Sequence, residues 1–223
     1  MGYVFHFGMI GPYLKVLLSA GLFTLELGAI CIIAATILGL IIGALHTARN
    51  ATIRTVCRSY VETFRLTPFL VQMLWVYFGF PMVLGIMITP AIAGVVTLSL
   101  NGAAYASEIF RAGIQSVPRT QIFASLSLGM TIPQTMGRIV IPQGVRIVLP
   151  SYVNLIIEIL KDTSMFSIIG VSEITGLTKL IVSETFRAFE LYTFLAVFYL
   201  CFTLCLGRIG RLLETRVFHA DKI

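Results

Sequence analysis

Glu158 stands between Ile157 and Ile159, well inside an apolar stretch of this 223-residue chain. At the centre of a membrane helix an ionisable group costs on the order of 2.5–3.5 kcal/mol, so it requires a partner or a cavity. Either its carboxylate meets the cationic group of a solute, or it is half of a structural pair with a neighbouring helix or lysine. Asn154 lies one helical turn earlier and shares its face. Thr67 and Gln72 fall on either side of Pro68, and Asn101 lies in another apolar run. Hydrogen bonding between helices accounts for most uncharged polar residues in such runs. Lining of a polar path is the alternative, and Glu158, Asn154, Thr67, Gln72 and Asn101 are its candidates.

The other reactive residues form no catalytic or metal-binding pattern. His6, His46 and His219 lack ligand spacing, and Cys31, Cys57, Cys201 and Cys205 contain no CxxC pair. No metal site is expected. No nucleophile elbow or catalytic acidic pair is present, which argues against an enzyme. No GxxxxGK[ST] phosphate loop exists either, so any ATP must be handled by another chain.

The elements that would hold these residues read as membrane helices. The chain is 57% hydrophobic and 12% charged, against about 45–50% and about 25% in soluble domains. At roughly 20 apolar residues per crossing the length fits about five spans. The pattern predicts spans over about Leu22–Leu45, Phe64–Leu84 and Thr89–Ser107. A fourth starts after Pro150 and is interrupted by the polar run Lys161–Ser164, and a last one covers about Phe189–Leu206. Gly39 and Gly43 make a GxxxG that would seat another helix. Arg49, Arg54, Arg58 and Arg65 flank the first two spans. Arg111, Arg119, Arg138 and Arg146 follow the third, and Arg208, Arg211, Arg216 and Lys222 form the tail. Basic loops stay in the cytoplasm, so the N-terminus is expected outside, the C-terminus inside and the number of spans odd. Basic residues spread over three loops do not make one basic face, so the net charge of +6 does not indicate nucleic acid.

Between the third and fourth spans, residues 108–149 are too polar to cross a membrane and too regular for a slack loop. Ile122, Phe123 and Leu126 fall at helical spacing, as do Ile132, Met136 and Ile139-Val140. Gly129 separates the two pieces where a C-terminal glycine would stand, Thr131 is placed to cap the second, and Pro133 lies in its first turn. The expectation is two short helices with a sharp bend on the cytoplasmic face. They would either dock into a groove of another protein or rest on lipid headgroups.

This segment resembles the Glu-Ala-Ala loop of the permease subunits of ATP-binding-cassette importers. Phe123-Ala124-Ser125, Gly129 and Ile139-Val140-Ile141-Pro142 keep its spacing, with Phe123 where the family has its glutamate. FRLTPFLVQ (64–72), LNGAAYASEIFRAGIQSVP (100–118), IPQGVRIVLPSYVN (141–154) and LKDTSM (160–165) resemble blocks of the polar amino-acid permeases, in order and at family spacing. The resemblance implies an all-α polytopic membrane bundle of the type I importer kind, one permease domain over 1–223. It implies a second permease subunit, identical or paralogous, and an extracytoplasmic solute-binding protein that delivers a polar amino acid. Two ATP-binding subunits would hold ATP and Mg and dock on Ile122, Phe123, Ala124, Ser125, Leu126, Leu128 and Gly129. The location would be the bacterial inner membrane. An ion-gradient-driven secondary transporter with proline-broken helices is the competing reading.

Overall fold

The computed structural model describes residues 5–46 and 50–219, all in helices and their connections. Arg49, Lys222 and the side chain of Arg216 lie outside the described residues. Eight helices are numbered here: α1 Ile10–His46, α2 Ala51–Leu66, α3 Phe69–Leu84, α4 Pro90–Gln115, α5 Arg119–Ser127, α6 Ile132–Ile169, α7 Ile174–Thr185 and α8 Ala188–His219.

Among the described residues three helices are long and apolar enough to cross a membrane by themselves: α1 with the turn before it, α6, and α8. The α2–α3 pair, bent by 104° at its break, adds a fourth. α4 has 26 residues, about 39 Å at 1.5 Å per residue, which also suffices. It is the more polar crossing because protein rather than lipid surrounds much of it. Thr97, Ser99, Asn101 and Ser107 are buried there beside Ala93, Leu98, Ala103, Ala104 and Ala106. With the bent α2–α3 pair and α4 counted, the described residues hold five segments of crossing length, the number expected.

Prolines set many of the boundaries. Pro68 forces Thr67 into extended backbone (φ −104°, ψ 140°), so the second span starts at Phe69 rather than Phe64. Its predecessor α2 is a separate amphipathic helix, capped by Asn50, whose side chain accepts from the Thr52 N–H at 2.9 Å. Two widened π turns occur, Trp75–Gly79 and Met136–Val140. Each ends two residues before a proline, Pro81 and Pro142, whose missing N–H and ring would disrupt a regular turn.

Three further boundary expectations differ from the structure. α1 begins at Ile10, twelve residues before Leu22, with Pro12 in its first turn where the backbone N–H has no helical partner to lose. The fourth span does not start after Pro150. That proline lies inside α6, so the second piece of the 108–149 segment is the foot of a membrane helix, not a free short helix. The run Lys161–Ser164 does not interrupt it. The helix tightens to a 3-10 form over Thr163–Ile169, and the hydroxyls bond within it: Thr163 donates to Leu160 O at 2.6 Å and Ser167 to Ser164 O at 2.8 Å.

The chain divides into two compact units. One takes residues up to Ile33, Pro68–Ser99 and Glu158–Cys205. In it Leu17, Ala20, Ile174, Ile181, Leu191 and Leu195 pack from α1, α7 and α8. The buried Glu173 caps α7 by accepting from the Thr175 and Gly176 N–H groups, both at 2.9 Å. The other unit takes Ala34–Thr67, Leu100–Ile157 and the chain from Leu206 onward. Here the GxxxG of α1 seats α4: a Cβ on Gly39 would lie 2.5 Å from that of Ala106, and one on Gly43 3.1 Å from Ser107 O. Tyr60 donates to Leu100 O at 2.6 Å, and Thr36 and Tyr152 share a hydroxyl bond.

Candidate functional site

The α5 elbow is built from local chemistry. Pro118, in extended backbone, precedes α5, and the N–H groups at its far end are taken up in a Schellman closure. The Met130 N–H donates to Ser125 O at 3.1 Å and the Gly129 N–H to Leu126 O at 3.0 Å. Gly129 adopts φ +80°, a conformation that glycine takes without a Cβ penalty. The chain then re-enters a helix at once. The Thr131 side chain accepts from the Gln134 N–H at 3.4 Å, and the Gln134 side chain accepts from the Thr131 N–H at 2.9 Å, completing a capping box.

Two side-chain bonds strap α5 to α6. The buried hydroxyls of Ser125 and Thr135 lie 2.9 Å apart, and Gln143 donates to Gln121 at 2.8 Å. The outer surface is apolar and open. Phe123 is 63% exposed and Leu128 83%, with Leu126, Ala124 and Gly129 also exposed. Ile122 is half-buried, so the expected stripe of Ile122, Phe123 and Leu126 is split between inside and outside. Ser125 faces inward and serves as the strap rather than as outer surface. Chemically, the arrangement offers apolar anchors on an arm that cannot swing freely against α6.

The five polar candidates of the spans separate in the structure. Asn101 is buried and donates to Phe64 O at 3.1 Å, an interhelical link. The exposed Thr67 donates to Thr63 O at 2.7 Å, and Gln72 is half-buried. Asn154 and Glu158 are both exposed on α6, one turn apart. No described residue forms an ion pair with Glu158. Glu26, to which sequence reasoning gave no role, is likewise exposed on α1, in the same unit as Glu158. An isolated carboxylate in an apolar run was its only available signal. Glu108 and Arg111, three residues apart on α4, form a pair with both carboxylate oxygens engaged at 3.0 and 2.6 Å.

Helices of membrane length with a strapped, glycine-hinged elbow before the fourth span have the build of a transporter's membrane subunit. The fold aligns with a chain of a solved amino acid ABC transporter crystallised with histidines, at TM-score 0.90 and 36% identity, over 96% of this chain and 100% of that one. It also aligns with an inward-facing MetNI methionine ABC transporter chain at TM-score 0.75, where 19% identity indicates the fold alone. Residues 35–219 match the family of binding-protein-dependent transport system inner membrane components, and the chain belongs to it. It is 34% identical to the glutamine transport system permease protein GlnP of Escherichia coli (strain K12) over 214 residues, covering 96% of this chain and 98% of the relative. It is 35% identical to the octopine transport system permease protein OccM of Rhizobium radiobacter over 206 residues, covering 89% and 84%.

Proposed function

We propose that this chain, as a single permease domain, translocates a polar amino acid across the inner membrane, driven by ATP that a partner chain hydrolyses. The transport of glutamine and octopine for which its relatives are named supports the substrate class. The partners are a second permease subunit, two ATP-binding subunits that hold ATP and Mg, and an extracytoplasmic solute-binding protein. The chain itself performs no bond chemistry. Its basic loops support an orientation with the N-terminus outside and the C-terminus in the cytoplasm. Ile122, Phe123, Ala124, Leu126, Leu128 and Gly129 meet the ATPase, with Ser125 supporting them from behind. When the ATPase pair closes, the strapped elbow transmits that motion to α6, and the spans exchange outward and inward arrangements.

The observation that carries the substrate assignment is the exposed carboxylate of Glu158 on a membrane helix, with no ion-pair partner among the described residues. A cationic group of the solute offsets the cost of holding that charge away from bulk water. Gln72, in the same unit, is the second path residue. Glu158→Gln keeps size and hydrogen bonding but removes charge. Uptake of labelled arginine, glutamine and glutamate, normalised to permease in the membrane, should fall most for arginine. A uniform loss with the preference order unchanged would sink the contact.

A further inference from the structure

One end of the second unit holds a charged chamber that the transport reading leaves unused. α2 presents Arg58, Glu62 and Arg65 to Glu108 and Arg111 of α4, and His46 of α1 closes the side of a cavity of about 330 Å³. Most of its charge is already matched. Arg111 holds Glu108 through two hydrogen bonds, and Arg58 donates to Glu62 at 2.7 Å. Arg65 is held least closely, by a long ion pair to a carboxylate that Arg111 already holds. Its nearest carboxylate oxygen, on Glu108, is 3.7 Å away, beyond a hydrogen bond, and its guanidinium lies 5.3 Å from the centroid of the Tyr105 ring. Three arginines against two glutamates leave one positive charge, and Arg65, with its side chain 42% exposed, carries it. His46 Nδ1 is buried there without a hydrogen bond.

A second cavity, of about 350 Å³, shares Arg65, Glu108 and Arg111 with the first but is otherwise mainly apolar, lined by Ile109, Ala112, Ile147 and Val148. A polar chamber with one more arginine than glutamate, and an apolar one that meets it at the half-exposed Arg65, suit an amphiphile with an anionic head. A free amino acid suits them less, because both carboxylates that would receive its ammonium group are engaged. We propose that these paired cavities bind one anionic phospholipid, its phosphate on Arg65 and an acyl chain along Ile109 and Ile147. Basic pockets between membrane helices on the cytoplasmic side favour such headgroups, and each arginine contributes about fivefold in affinity. The site goes beyond the transport reading and stands on the second unit alone.

The test titrates dioleoyl phosphatidylglycerol onto the purified permease–ATPase complex and counts bound lipid by native mass spectrometry. No membrane orientation enters the measurement, and transport is not needed, so its failure is separate from failure of the transport assignment. One saturable lipid per permease chain is expected. Arg65→Gln should weaken binding about fivefold or more, Arg65→Lys should largely restore it, and Arg54→Gln, whose arginine lines neither cavity, should leave it unchanged. Phosphatidylethanolamine should not saturate over the same range. Equal weakening by Arg65→Gln and Arg54→Gln, or none by Arg65→Gln, would overturn the site. Inorganic phosphate that displaces the lipid at matched concentration would mean that the pocket takes the free anion, overturning the lipid assignment. If Arg65→Gln does not assemble, Arg65→Ser at the same position is titrated against Arg65→Lys, and equal binding by those two has the same refuting force.

Discussion

Gly129→Val isolates the elbow's geometry from its surface chemistry. At φ +80° a Cβ on this residue would meet no atom within 4 Å, so crowding contributes nothing and any effect is one of backbone conformation. A residue with a Cβ pays roughly 1–2 kcal/mol in the left-handed region, and a β-branched one is a more severe outlier. One to two kcal/mol shifts an equilibrium by about 5–30-fold. That is enough to compete with the two Schellman bonds, from Met130 to Ser125 and from Gly129 to Leu126, that hold the turn. The bend should therefore loosen while the helices remain folded. In proteoliposomes holding the complete transporter, labelled amino-acid uptake and phosphate release are measured on the same vesicles. Valine should lower uptake per ATP hydrolysed by severalfold, with hydrolysis and subunit assembly retained. Gly129→Asn introduces a larger side chain than alanine yet tolerates the left-handed region, and it should keep most of the coupling. Wild-type coupling with valine, or equal damage from asparagine, would refute the reasoning.

Three further outcomes follow from the same structure. Phe123→Asp places a charge on the exposed apolar anchor and should uncouple hydrolysis from uptake without lowering the amount of permease; normal transport by this variant would remove Phe123 from the docking surface. Gly39→Val drives a side chain into Ala106, where a Cβ already falls at 2.5 Å; overpacking of this kind costs about 1–3 kcal/mol, so the purified complex should melt at a lower temperature, as followed by intrinsic fluorescence. Glu108, one residue past the stretch Thr89–Ser107 read as the third span, has its carboxyl held below the ordinary value of 4.5, chiefly by the Arg111 hydrogen bonds. A carboxyl depressed on folding stabilises above its unfolded pKa and loses that contribution as pH falls through the folded one. The wild type should therefore lose melting temperature more steeply below about pH 4.5 than Glu108→Gln does, and parallel curves would count against the pair.

The elbow was readable because its signals are local. Glycine at a left-handed turn, threonine at the cap and proline in the first turn each act through the nearest backbone groups. The Glu108–Arg111 pair and the Gly39–Gly43 seat were readable for the same reason, as helical spacing alone brings those residues together. Where the sequence misled, tertiary context decided. Pro150 looked like a boundary, but α6 continues through it. Lys161–Ser164 looked like a break, but the Thr163 hydroxyl bonds back to Leu160 O within its own helix, and Ser164 O accepts from the Ser167 hydroxyl. Ser125 resembled outer surface by its place in the motif; only the fold brings Thr135 to its hydroxyl. Glu173 gave no sequence signal as a buried cap, since glutamate is not a favoured residue at that position.

Reconstitution with controlled energy sources tests the central assignment most directly. Proteoliposomes carry the permease with its ATP-binding subunits, and the solute-binding protein is added on the opposite side. The account predicts accumulation of a labelled polar amino acid only when ATP, Mg and the binding protein are all present, and unchanged by collapse of proton and sodium gradients. Accumulation driven by an ion gradient without ATP would contradict it and return the chain to the secondary transporters.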